Sequence, residues 1–82
     1  MAFIVRVLRG AAPAHRVKVR VGFTSAVGEM SLVAYTDWSG HAIFESPEHG
    51  LAEVHVEGVK YGLYDYTEDG SVTLNLDVVD HG

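Results

Sequence analysis

The chain has 82 residues, of which 48% are hydrophobic and 21% are charged, so we expect a single folded domain over residues 1–82. The formal net charge of −5 argues against nucleic-acid binding, because an acidic surface repels phosphate. The absence of cysteine excludes disulfide bonds and thiolate zinc sites.

Alternation of apolar and polar residues with a period of two runs through most of the chain and predicts β-strands. The predicted strands span 2–9, 15–23, 30–36, 41–45, 51–57, 59–66 and 71–78. Gly62 indicates a bulge or a break in the sixth strand. Asp69-Gly70 predicts a hairpin turn before the last strand. Seven short strands separated by turns favour an all-β fold, a two-sheet sandwich with antiparallel or mixed sheets.

Neither a membrane span nor an export signal is visible in the sequence. No apolar run approaches the ~20 residues that cross a bilayer. The segment from Met1 to Leu8 is interrupted by Arg6 and lacks the apolar region of a signal peptide. We therefore expect no membrane association, and a cytoplasmic location if the chain is complete.

The most specific motif is Thr36-Asp37-x-x-Gly40-x-Ala42-x-Phe44. An Asp in a turn accepts hydrogen bonds from the amides that follow it, and a Gly can take the positive φ of a turn exit. Phe44 would then return to the core on the next strand. The motif therefore predicts a structural turn and not a chemical reaction.

Together with Val54-x-Val56-x-Gly58 and Gly10-x-x-Pro13, this motif resembles the carboxypeptidase regulatory-like and transthyretin-like domains. The resemblance covers about residues 5–78. It implies a prealbumin-like seven-stranded sandwich, and an accessory, adhesive or carbohydrate-handling module.

Two groups of relatives carry chemistry that can be compared with this chain. The transthyretin-like hydrolases end in Tyr-Arg-Gly-Ser, whereas this chain ends in Val79-Asp80-His81-Gly82, which disfavours a hydrolase. Adhesin modules form a buried Lys–Asn isopeptide bond. Lys18 and Asn75 are the plausible pair here, but alternation places both on polar faces. No G-x-S-x-G elbow is present, so we expect no enzymatic activity.

Aromatic residues suggest a ligand site. Trp38 occupies a turn, and Tyr61, Tyr64 and Tyr66 lie close together in the sequence. These side chains either stack on sugar rings or pack against the sandwich, with Trp38 as a cap over its end.

Five histidines are scattered along the chain, at positions 15, 41, 49, 55 and 81. The sharpest metal hypothesis has His41, His49 and His55 meeting across strands. The alternative, which we favour, is scattered surface histidines with no metal and no cofactor.

Two charged stripes carry opposite signs. One consists of Arg16, Lys18 and Arg20, and the other consists of Glu53, His55 and Glu57. If their strands are neighbours, the stripes form cross-strand pairs on a solvated face. If the strands are apart, the stripes are edges that attract a partner.

We therefore predict a non-enzymatic binding module that contacts a protein partner or a second copy through an exposed edge strand. The alternative is a carbohydrate-binding module that uses Trp38, Tyr61, Tyr64 and Tyr66. The sequence does not identify the edge strands.

Overall fold

A computed structural model describes residues 2–25, 28–46, 50–65 and 70–76. Every regular element in these ranges is a β-strand. The strands are β1 (Ala2–Arg9), β2 (Ala12–Pro13), β3 (Lys18–Ser25), β4 (Gly28–Tyr35), β5 (His41–Glu45), β6 (Leu51–Val56), β7 (Val59–Asp65) and β8 (Ser71–Asn75). Within the described residues, no helix is long and apolar enough to cross a membrane.

The strands form two sheets. In the first, the β1 sheet, β1 pairs antiparallel with β5 and with the short β2, and it pairs parallel with β8. The second, the β3 sheet, has the order β4-β3-β6-β7, and all of its pairs are antiparallel. The predicted two-sheet sandwich with antiparallel and mixed pairing is therefore confirmed.

The core lies between the sheets because alternate residues of each strand point inward. In β3, Val19, Val21 and Phe23 are buried, and they face the buried Phe3 and Phe44 of the β1 sheet. The Phe23 ring meets Phe3 edge-on at 6.0 Å and Phe44 at 6.4 Å between centroids. These edge-to-face contacts join the two sheets at the centre of the sandwich.

Several details of the predicted strands were wrong. The strand predicted over 30–36 is β4 at Gly28–Tyr35, and the strand predicted to end at residue 23 runs to Ser25. β3 begins at Lys18 and not at residue 15, because Arg16 has φ +60 and interrupts the extended chain. The residues from Ala12 to Pro13 form the additional strand β2, which is not among the seven predicted strands. The fifth predicted strand, 51–57, is β6 in the structure and ends at Val56, because Glu57 and Gly58 both have positive φ, as in a type I′ hairpin turn.

The predicted hairpin at Asp69-Gly70 was also wrong. The strands on either side belong to different sheets, since β7 pairs with β6 and β8 pairs with β1. β7 and β8 therefore do not form a hairpin with each other. Asp69 itself lies outside the described residues, as do Tyr66 and the end of the last predicted strand.

The expected irregularity near Gly62 is present. In the β6–β7 ladder, Val54 lies opposite Gly62 and His55 lies opposite Lys60, so Tyr61 is an extra residue between them. This is the geometry of a β-bulge.

Candidate functional site

The motif that begins at Thr36 ties together three parts of the chain where β4 leaves the β3 sheet. Thr36 is only 3% exposed. Its Oγ1 accepts a hydrogen bond from the Val17 amide at 2.9 Å and donates one to the Ala14 carbonyl at 2.7 Å. Its main chain also accepts from the Arg16 amide and donates to the Val17 carbonyl. The hydroxyl thus satisfies the Val17 amide and the Ala14 carbonyl, two buried main-chain groups that lie where the β3–β4 ladder is interrupted.

Asp37 and Gly40 shape the turn itself. One carboxylate oxygen of Asp37 accepts hydrogen bonds from the amides of His41 at 3.0 Å and Ser39 at 2.9 Å. The hydrogen bond from the His41 amide, supported by the one from Ser39, lowers the pKa of Asp37 below its usual range. Gly40 has φ +80, and its carbonyl accepts from the Val7 amide at 2.7 Å. The turn is therefore anchored to β1.

Trp38 stands at the tip of this turn with 80% of its surface exposed, so it does not cap the core. Its ring stacks on the ring of His15, with 3.8 Å between centroids and 15° between planes. The sequence did not indicate this pair, because the two residues are far apart in the chain. Stacking on His15 restricts the indole while most of its surface stays in solvent.

The structure separates the aromatic residues that the sequence grouped. Trp38 follows β4, whereas Tyr61 and Tyr64 lie on β7, at the opposite edge of the β3 sheet. Tyr61 is exposed at the bulge, but Tyr64 is partly buried and packs against the core. Tyr66 lies outside the described residues. Trp38 and the described tyrosines thus do not share one strand edge.

The two charged stripes lie on neighbouring strands, so the alternative of separate edges is wrong. In the β3–β6 register, Arg20 lies opposite His55, and the Glu57 amide donates to the Lys18 carbonyl at 3.0 Å. The Glu53 carboxylate contacts His55 Nε2 at 3.2 Å rather than an arginine. Lys60 of β7 approaches the same carboxylate at 3.7 Å.

The histidines do not converge as the metal hypothesis required. His41 and His55 alternate with buried neighbours on the β1 sheet and the β3 sheet, respectively, so they point to opposite outer faces of the sandwich. His49 and His81 lie outside the described residues. Within the described part of the chain, no group of three metal-ligating side chains is present.

Lys18 and Asn75 are also on different sheets. Asn75 of β8 accepts a hydrogen bond from the Gly10 amide at 3.1 Å and donates one to the Gly10 carbonyl at 3.0 Å. Lys18 is exposed on the outer face of the β3 sheet. Asn75 therefore braces the turn after β1, and the geometry of an isopeptide pair is not seen.

The edge strand β4 is the feature that sequence reasoning could not locate. Thr36 donates its amide to Val17, and in an antiparallel ladder only every second residue bonds to a given neighbour. Four residues of β4 therefore direct their main-chain N–H and C=O groups away from β3: Glu29, Ser31, Val33 and Tyr35. Within the described residues, no other hydrogen bond engages these groups.

The outer face of the β3 sheet carries two depressions. The larger, of about 340 Å³, is open and lies around Gly22, Ser31 and Glu53. The smaller, of about 130 Å³, is lined by Lys18, Arg20, His55 and Gly58. We call the smaller one the basic cleft. Among the described residues, its lining contains two cationic side chains and no carboxylate.

Comparison with known proteins found no matching protein-family model, no matching curated protein and no matching solved structure. The resemblance to carboxypeptidase regulatory-like and transthyretin-like domains therefore stays a prediction from the turn motif. The function must be argued from the chain's own geometry.

Proposed function

We propose that this β-sandwich is a non-enzymatic interaction module and that it self-associates through the edge of β4. The observation that carries the proposal is the row of four residues whose main-chain groups face away from β3. An exposed strand edge of this kind is a template for pairing with another strand.

Several properties of β4 support pairing between two copies. The strand has eight residues, and its only charged residue is Glu29. It contains no proline or lysine, which commonly protect an edge from pairing. Val33 and Tyr35 are 50% and 62% exposed, so pairing also covers apolar surface.

One register uses all four outward residues. With two copies antiparallel about Leu32, Ser31 of one lies opposite Val33 of the other, and Glu29 lies opposite Tyr35. In each of these pairs, the two opposite residues exchange two main-chain N–H···O=C hydrogen bonds. The Glu29 carboxylates of the two copies stay apart, which limits repulsion between two acidic molecules.

The first test uses the direction of the Val33 amide. Because this N–H points away from β3, Val33→Pro removes an edge donor without removing a bond of the β3–β4 ladder. Val33→Thr is the matched control, since it keeps the N–H and the branched shape. Light scattering across protein concentration should show a dimer for the wild type and for Val33→Thr, and a monomer for Val33→Pro. A wild type that stays monomeric at every concentration would refute the proposal.

The second test examines the register. The chain has no cysteine, so introduced thiols are unambiguous. A mixture of Ser31→Cys and Val33→Cys chains should form a disulfide-linked heterodimer, because directly opposite residues lie about 5.5 Å apart between Cα atoms. Each variant alone should cross-link much less. Equal cross-linking of Ser31→Cys alone would contradict this register.

Carbohydrate binding is the second candidate, and the stacked Trp38–His15 pair is the observation that favours it. An exposed indole held in one orientation offers a flat face to a sugar ring at a reduced entropic cost. The test is a titration of Trp38 fluorescence with oligosaccharides. A saturable change that weakens in His15→Ala supports this candidate, and an unchanged spectrum across a broad panel excludes it.

A further inference from the structure

We propose that the basic cleft binds a tetrahedral oxoanion, such as sulfate or phosphate, through Lys18, Arg20 and His55. The proposal is independent of pairing at β4, because it concerns β3, β6 and the Glu57–Gly58 turn.

The distribution of charge is the first argument. The chain is acidic overall and has only six lysines and arginines. Two of the six line this cleft, and Lys60 lies across the ladder from His55. Concentrating cations around a concave site in an acidic molecule produces a local positive potential. The arginine guanidinium also offers a fork of donors that matches the oxygens of an oxoanion.

The cleft-lining residue His55 contains an unsatisfied polar atom. His55 is 18% exposed, and its Nε2 contacts the Glu53 carboxylate at 3.2 Å. Its Nδ1 is buried and has no hydrogen-bond partner among the described residues. Buried polar atoms without partners are rare in folded proteins and mark places where a further group belongs. Because Nε2 contacts Glu53, Nδ1 is the nitrogen of this cleft-lining ring that stays unsatisfied.

Among the described residues, the nearby carboxylates do not bond to Nδ1. Glu53 contacts Nε2 of the same ring and is shared with Lys60. Glu57, on the turn, faces the Lys18 amide at 3.4 Å. The remaining neighbours across the ladders are the cations Arg20 and Lys60. Within the described residues, no carboxylate forms an ion pair with the side chain of Lys18 or Arg20, so both cations are available to an anion from solution.

The test is an NMR titration of the whole ¹⁵N-labelled chain with sodium sulfate, against sodium chloride at equal ionic strength. Sulfate should cause saturable shifts at residues 18, 20, 55 and 58. Arg20→Gln should weaken binding about tenfold, as expected for loss of one charge-assisted hydrogen bond. The matched control Arg6→Gln, an exposed arginine on the other sheet, should leave the affinity unchanged.

A histidine variant separates this site from general attraction to cations. His55→Gln leaves Lys18 and Arg20 in place and removes the imidazole that lines the cleft, so it should weaken sulfate binding although both of these cations remain. Inorganic phosphate and phenyl phosphate then distinguish a free ion from a monoester. Equal shifts in chloride, equal losses in Arg20→Gln and Arg6→Gln, or no saturation would each overturn the proposal.

Discussion

Alanine substitution of three glycines tests whether the turn at Gly40 is held against β1 as tightly as the structure shows. Gly40 has φ +80, and a Cβ there would lie 2.5 Å from the Val7 carbonyl oxygen and 3.2 Å from Pro13 Cβ. Gly58 has almost the same φ, +82, but open space around the Cβ position. Gly22 has open space and no positive φ.

The three variants separate the cost of a left-handed backbone conformation from the cost of steric overlap at the added Cβ. Gly58→Ala should lower the free energy of unfolding by about 1–2 kcal/mol, which is the cost of placing an alanine at a left-handed φ. Gly40→Ala adds an overpacking cost and should lose about 2–5 kcal/mol in all. Gly22→Ala should be neutral or stabilising by up to about 1 kcal/mol, because glycine is unfavourable within a strand. The Val7 oxygen is main chain and also accepts from the Ala14 amide, so it cannot simply turn aside.

Urea unfolding followed by far-UV circular dichroism is the appropriate assay. Fluorescence is a poor choice because Trp38 is already exposed in the folded protein. For a domain of this size, each kcal/mol corresponds to about 4–8 °C in Tm. If Gly40→Ala were no less stable than Gly58→Ala, the close approach of Gly40 to β1 would be wrong.

Two further predictions concern the same turn. Thr36→Val should lose about 1–3 kcal/mol, because two buried main-chain groups lose their partner. Thr36→Ser keeps the hydroxyl and should lose only about 1 kcal/mol, so equal losses in urea unfolding would contradict this role. The hydrogen bond from the His41 amide lowers the pKa of Asp37. The ionised carboxylate therefore stabilises the fold fully at pH values above the usual pKa of an aspartate. This stabilisation is lost as the pH falls through the lowered pKa. The stability advantage of the wild type over Asp37→Ala should therefore shrink below about pH 4. An advantage that is constant down to about pH 2 would contradict this reasoning.

Much of the fold could be predicted because strand alternation is a local property. β1 and β5 have the predicted bounds, and Val54 and Val56 point inward from β6 as the pattern indicated. The failures have identifiable causes. Asp69-Gly70 has the composition of a hairpin turn, but composition does not state whether the flanking strands share a sheet. The start of β3 was misplaced because nothing in the sequence marks Arg16 for a left-handed conformation.

The candidate site was less predictable, because it depends on strand order. Tyr61 and Tyr64 are the same residue type, so the sequence does not separate them. The register of β7 places Tyr64 toward the core and leaves Tyr61 exposed at a bulge. The stacking of Trp38 on His15 joins residues from two loops, and no local pattern encodes it.

The sequence by itself determined the strand content, the two faces of each strand and the local chemistry of the turn after Thr36, since these depend on residues close together in the chain. Only the tertiary structure decided that β4 is an edge and that Lys18, Arg20 and His55 line one cleft. Both depend on which distant strands pair, and pairing is set by the fit of side chains across the whole core.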